Sequence, residues 1–207
     1  MNYCALNNRN ADMVTEVHRV MRQRVINILA RMAELGEIPR IQCAYRTPAE
    51  QRALFYEQRS ALRWGFHNVT EGGQPAALAV DILDNTAPRS LSLSFLLKLA
   101  WCAQRENCET GILWGLREGQ RVRIASLVEN RQFDQPAKIG WDPCHVQPSD
   151  LTVGQAQAGL MPFAAAELIE ELAMPLFGGH KHELMNNAEF NATSARGAAL
   201  AVIRDGY

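Results

Sequence analysis

Three short segments carry the side chains whose types and spacing could do chemistry: residues 45–51 (YRTPAEQ), residues 72–81 (GGQPAALAVD) and residues 142–145 (DPCH). The first contains Arg46, whose planar and permanently charged guanidinium suits a carboxylate or carbonyl oxygen. The second ends at Asp81, and the third runs from Asp142 to His145. Carboxylate and imidazole groups ligate metals and transfer protons. These four side chains would form a hydrolytic site if the fold brought them together.

The order and content of the segments resemble the zinc D-alanyl-D-alanine carboxypeptidase and L-alanyl-D-glutamate endopeptidase family, endolysin-like enzymes that cut peptidoglycan stem peptides. The resemblance covers residues 12–147. The family has a Tyr-Arg-Ser/Thr turn before a helix with a Glu-Gln pair, and the matching residues here are Tyr45, Arg46, Thr47, Glu50 and Gln51. The resemblance implies that Arg46 is a catalytic residue that holds a substrate oxygen, and that Gln51 joins it in binding substrate.

The family's metal motif, Ser-x-His-x-x-Gly-x-Ala-x-Asp, is matched only in part. Ala79 and Asp81 fit the pattern, but Gln74 stands where the family has its histidine. Gly72 and Ala77 stand in place of the serine and the glycine. A neutral amide oxygen is a poorer zinc ligand than an imidazole nitrogen, and it favours a harder cation.

The last segment matches the end of the family's third motif, in which an acid precedes the second zinc histidine by three residues. The resemblance implies that Asp81 and His145 ligate zinc, with Gln74 in the third position. It implies in the same way that Asp142 is the general base that activates water. We therefore expect zinc in an active protein and no cofactor in an inactive one.

Other histidines offer alternatives to Gln74. His67 lies in the same predicted loop, seven residues upstream, where it is either a ligand or a surface side chain. His180 and His182 form a His-x-His pair that can chelate a metal or lie in a solvated turn. His18 falls within a predicted helix among arginines, and we expect it at the surface.

The pattern along the chain predicts an α+β fold, and the resemblance implies a small antiparallel sheet flanked by helices, as in the zinc D-Ala-D-Ala peptidases. Thr47, Pro48 and Glu50 form a helix start with a capping box. Residues 121–128 look strand-like within a predicted hairpin or excursion over 116–138. The remaining predictions are helices at 12–35, 48–63 and 91–105, strands at 38–44 and 78–83, and a loop at 65–77.

Composition divides the chain into a peptidase-like domain, 1–150, and a helical C-terminal extension, 151–207, with helices at 163–174 and 193–204. The net charge of −1 gives no reason to expect a nucleic-acid partner. The five cysteines are odd in number and lack CxxC spacing, so we expect reduced thiols. No apolar run is long enough to span a membrane, and we expect synthesis in the bacterial cytoplasm.

Three functions remain open from the sequence. The changes at 72, 74 and 77 favour a non-catalytic, peptidase-like structural component of a phage virion or another assembly, docked on its partners through 151–207. The surviving acid, ligands and arginine favour an active metal-dependent peptidoglycan peptidase of the endolysin type. A third reading is a muropeptide-binding module that grips stem peptides through Arg46 without cutting them.

Overall fold

A computed structural model describes residues 3–163 of the chain. The helices are α1 (Tyr3–Thr15), α2 (Arg19–Glu34), α3 (Pro48–Tyr56), α4 (Leu93–Gln104), α5 (Glu118–Glu129) and α6 (Val153–Gln157), with a 3-10 turn at Phe66–Asn68. The strands are β1 (Pro39–Cys43), β2 (Thr70–Glu71), β3 (Gln74–Pro75), β4 (Val80–Asp84), β5 (Cys108–Gly111) and β6 (Asp142–Pro148). The predicted helices of the extension, apart from Phe163, and the His180 and His182 pair lie outside the described residues.

Four strands form an antiparallel sheet in the order β1-β4-β6-β5, and β2 pairs with β3 in a separate hairpin. This confirms the predicted α+β class and the small antiparallel sheet. The core packs α2 and α4 against the sheet, through Met21, Ile28, Ile82, Phe95 and Leu97, none of which is exposed.

At the β1 edge, Asn10 of α1 accepts from the Ile41 amide at 2.9 Å and donates to the Pro39 carbonyl at 3.1 Å. Its side chain therefore satisfies backbone groups that an edge strand would leave unpaired.

The predicted helix 12–35 is two helices, because the chain between α1 and α2 pairs with the segment before β4. The Ala77 amide donates to Glu16 and the His18 amide donates to Ala77, both at 2.9 Å. His18 caps α2 by accepting from Val20 and is only 3% exposed, so the surface prediction for it was wrong. Burial lowers the pKa of His18, although nearby Glu71 acts in the opposite direction.

The strand-like run 121–128 lies in helix α5, so the hairpin prediction was wrong. Ile124, Leu127 and Val128 are buried, which is helical spacing on one face. Helix α3 begins as predicted, with the Thr47 and Glu50 capping box present, but it ends at Tyr56.

Part of the predicted extension packs on the body of the protein. Leu151 and Ala156 are buried in the same core. The guanidinium of Arg24 forms a bidentate ion pair with Asp150, with N–O distances of 2.8 and 2.9 Å. It also donates to the Phe163 carbonyl at 2.8 Å. Within residues 3–163, none of the helices has the length and apolar character needed to cross a membrane.

Candidate metal centre

Two of the predicted metal ligands face each other across neighbouring strands. Asp81 of β4 is paired with His145 of β6 in the antiparallel register. Directly opposed residues place their side chains on the same face of a sheet. His145 Nδ1 accordingly lies 3.1 Å from Asp81 Oδ1.

The third group at this position is His67, which comes from the 3-10 turn. Its Nε2 lies 3.2 Å from His145 Nδ1 and 3.4 Å from Asp81 Oδ1. Gln74, the residue that sequence spacing put in this place, lies exposed on the short strand β3, paired with Glu71. The structure therefore brings His67, rather than Gln74, to Asp81 and His145. His67 is also 4% exposed, which excludes the surface role.

Hydrogen bonds on the far side of each imidazole settle which nitrogen faces the centre. His67 Nδ1 lies 2.6 Å from the Ala44 carbonyl oxygen, which can only accept, so Nδ1 carries the proton. His145 Nε2 lies 3.1 Å from Gln147 Oε1, while Gln147 Nε2 donates to Glu109 at 2.6 Å. Since the Glu109 carboxylate accepts, the amide oxygen must face His145, and His145 Nε2 carries the proton. Such outer partners are what fix the tautomer of metal-bound histidines.

Three lone-pair donors thus converge on one point: His67 Nε2, His145 Nδ1 and an oxygen of Asp81. Two neutral imidazoles in these tautomers cannot hydrogen-bond to each other across 3.2 Å, so the arrangement requires an added proton or a cation. In a tetrahedral site with ligand bonds of about 2.0–2.1 Å, donor atoms lie about 3.3–3.4 Å apart. The observed separations of 3.1, 3.2 and 3.4 Å match that spacing, so the donor set fits a zinc-type ion.

Without a metal, the cluster holds a proton instead. Burial disfavours a charged His67, but the Asp81 carboxylate outweighs burial and raises the pKa of His67 to about 10. Burial likewise works against a charged Asp81, yet His67 and His145 hold the pKa of Asp81 far below its usual range. The metal-free site therefore contains an ion pair, in which the proton occupies the place of a cation.

Arg46 flanks the cluster and is itself held in place. One terminal nitrogen lies 3.3 Å from Asp81 Oδ2, and the other donates to Gln51 Oε1 at 2.9 Å. Gln51 is 3% exposed, and its amide nitrogen donates to Ser60 Oγ and to the Leu62 carbonyl. These contacts hold the Arg46 side chain in place, and the predicted role of Gln51 in binding substrate stays a prediction.

Asp142 begins β6, beside an irregularity in the pairing of that strand. Thr110 of β5 pairs with Val146, but the next residue, Gly111, pairs with Asp142, so residues 143–145 form a bulge. A bulge re-aims side chains relative to a regular strand. Burial raises the pKa of Asp142, and its charge interacts with those of His145 and Asp81. A carboxyl with a raised pKa accepts protons more readily near neutrality.

An aromatic wall leads from the cluster to the surface. The Trp114 ring centroid lies 5.3 Å from that of His145 and 5.3 Å from that of Trp141, which is 59% exposed. The Gly140 amide donates to the Ile112 carbonyl at 2.6 Å, and this contact joins the two segments although 116–138 separates them in sequence. A cavity of about 380 Å³ opens beside the exposed ring, lined by Phe55, Gln58, Arg59, Ser60, Ala61 and Trp141.

The family's spacing points to Gln74, and His67, which the sequence offered as an alternative ligand, lies outside that spacing. His67 precedes Asp81 by 14 positions, whereas the family's histidine precedes its aspartate by seven. The additional residues include the β2–β3 hairpin, whose base is closed by a 3.0 Å hydrogen bond from Ala76 to Val69. The available signal was a histidine within that loop.

The chain matches no protein-family model, no curated protein and no solved structure at a significant level. The resemblance to peptidoglycan peptidases therefore depends on the motif residues alone.

Proposed function

We propose that the protein is a metal-dependent hydrolase that cleaves a peptide bond in peptidoglycan stem peptides. The observation that carries the proposal is the convergence of three lone-pair donors at 3.1–3.4 Å, with both imidazoles tied down on their far sides. The non-catalytic reading depended on the changes at Gly72, Gln74 and Ala77 and on the long tail, and His67 would supply the nitrogen ligand that Gln74 lacks. A structural or virion role through 151–207 stays a prediction.

His67, Asp81 and His145 would hold the ion. A divalent ion of the zinc type supplies a Lewis acid that polarises a carbonyl group and acidifies water. Two imidazoles and one carboxylate are a ligand set of known catalytic zinc sites, which leave a further position open.

The remaining side chains supply positioning and proton transfer. Asp142, with its raised pKa, would accept a proton from the attacking water at a carboxylate oxygen and deliver it to the departing amine. Arg46 would bind a carboxylate or carbonyl oxygen of the stem peptide through its charged fork, with Gln51 holding it in orientation. The wall formed by Trp114 and Trp141 would shield one side of the reacting bond from water.

The test combines metal analysis with digestion of purified peptidoglycan by the full-length protein. We expect one metal per chain, lost in His67→Ala and retained in the matched control Gln74→Ala. A background variant, His180→Ala with His182→Ala, removes the chelating pair in the extension. Mass spectrometry of the released fragments identifies the bond that is cut.

Metal retained in His67→Ala but lost in Gln74→Ala would overturn the assignment of the ligand. Stoichiometric metal without cleavage of any muropeptide would refute the hydrolase. Metal-independent binding of muropeptides, abolished by Arg46→Ala, would instead favour the binding-module reading.

A further inference from the structure

A thiol lies at the edge of the proposed metal centre, and an irregularity in β1 puts it there. Ile41 pairs with Ile82, and Cys43 pairs with Asp81, so Gln42 is an extra residue in the ladder. Without that bulge, Gln42 would oppose Asp81, because register advances one residue at a time. The bulge therefore places the Cys43 side chain on the same face as Asp81.

The contacts of Cys43 point into the cluster. Its sulfur and single ligand atoms of His67 and Asp81 all lie within 4.8 Å of one another. Arg46 Nη2 lies 3.4 Å from the Cys43 sulfur, and the same nitrogen contacts Asp81.

The other half-buried thiol is placed differently. Cys144 immediately precedes His145, and its sulfur lies 3.7 Å from Asp142 Oδ1. Cys102 and Cys108 are buried in the core. Among the cysteines whose side chains the structure describes, Cys43 is thus the one grouped with metal-ligating atoms.

We propose that Cys43 is a fourth metal donor, which binds the ion beside His67 and Asp81 when no substrate is present. This inference goes beyond the proposed hydrolase and depends on its metal site. Coordination would release the thiol proton and leave a set of two nitrogens, one oxygen and one sulfur. A thiolate selects zinc over hard ions such as Mg²⁺ or Mn²⁺. A substrate oxygen would have to displace the sulfur from the metal. Arg46, which contacts the Cys43 sulfur, would be close enough to bind that oxygen.

The experiment is the absorption spectrum of the full-length protein loaded with Co²⁺, which replaces zinc and reports its ligands. A thiolate ligand adds a sulfur-to-cobalt charge-transfer band in the near ultraviolet, whereas nitrogen and oxygen ligands give visible bands only. We expect the charge-transfer band in the natural protein and in the control Cys144→Ser, and its absence in Cys43→Ser. Affinity for Co²⁺ in Cys43→Ser should fall at least about tenfold, the lower end of the effect of outer-shell changes.

The outcomes separate this inference from the metal site itself. Visible cobalt bands that disappear in His145→Ala, without a charge-transfer band in the natural protein, would overturn the role of Cys43 and leave the metal site standing. A charge-transfer band that survives in Cys43→Ser would also overturn it. No bound cobalt at all would refute both proposals.

A second measurement needs no variant and so does not depend on whether Cys43→Ser folds. Iodoacetamide labelling, read by peptide mass spectrometry, should modify Cys43 in the metal-free protein and be suppressed several-fold at that residue by one equivalent of zinc. Equal labelling of Cys43 with and without bound zinc would contradict the proposal.

Discussion

The affinity of the site for metal should rise steeply with pH, because the ion and a proton compete for the same place. In the metal-free protein His67 carries a proton, with its pKa raised to about 10 by Asp81 against the effect of burial. Metal binding requires the unprotonated Nε2, so each ion bound should release that proton. Below about pH 10 the affinity should therefore increase about tenfold for each pH unit, equivalent to about 1.4 kcal/mol per unit.

The measurement is best made on Cys43→Ser. In the natural protein, coordination by the thiol would release a second proton and double the slope of the logarithm of metal affinity against pH. Zinc affinity is measured between pH 6.5 and 8.5 by competition with a chelator of known proton dependence. Over this range the His67 proton alone predicts a rise of about a hundredfold, or about 2.7 kcal/mol. Calorimetry in buffers of different ionisation enthalpy counts the released protons directly.

The control variant is Gln74→Ala, which should keep the same slope because Gln74 lies on the exposed hairpin. An affinity that does not change with pH, or calorimetry that detects no proton release, would refute the inference that a proton fills the empty cluster. The stability of the metal-free protein should also depend on pH, but in the opposite direction to its affinity for metal. Since the folded pKa of His67 is raised, the stability from its pair with Asp81 is complete below pH 6.5 and declines as pH rises towards 10.

Three further predictions concern the parts of the fold that position the site. A Cβ at Gly111 would overlap the backbone carbonyl of Asp142. Gly111→Ala should therefore lower the rate of peptide cleavage at least about tenfold, as a small displacement of catalytic groups does. The control is Gly119→Ala in α5, where a Cβ meets nothing within 4 Å, and it should leave kcat/KM unchanged. Thr47→Ala removes the side chain that accepts from the Glu50 amide at 3.2 Å and should lower the free energy of urea unfolding by about 1 kcal/mol. Arg24→Ala leaves the partly buried Asp150 unpaired and should cost about 3–5 kcal/mol in the same assay.

Local signals in the sequence predicted the elements that carry them. The capping box that begins α3 was readable from Thr47, Pro48 and Glu50, because its hydrogen bonds span only three residues. The strand predicted at 78–83 also followed from pattern, and the structure places it at Val80–Asp84. The helix α5 did not, because its apolar residues Ile124 and Leu127 are interleaved with Val122 and Val128, which imitate alternation.

The break between α1 and α2 had no local signal at all. Its cause is the hydrogen bonding of Glu16 and His18 to Ala77, about sixty positions away, while the apolar periodicity continues through the break. The burial of His18 follows from the same long-range pairing. Features of this kind depend on which distant segment the chain meets, and one sequence read for local patterns does not contain that information.

The candidate site shows the same division between local and distant determinants. Asp81 and His145 lie on neighbouring strands that pair them directly, and both are positions that the motif spacing predicted. His67 lies before a loop, and a loop whose base is held can gain residues with little change at its ends. The base here is held twice, by the bond from Ala76 to Val69 and by the 2.9 Å bond from Leu78 to Phe66. Counting residues across such a loop gives Gln74, whereas following its anchored ends gives His67. The position of His67 beside Asp81 is thus set by hydrogen bonds at the ends of the loop, and the number of residues between them is free to differ.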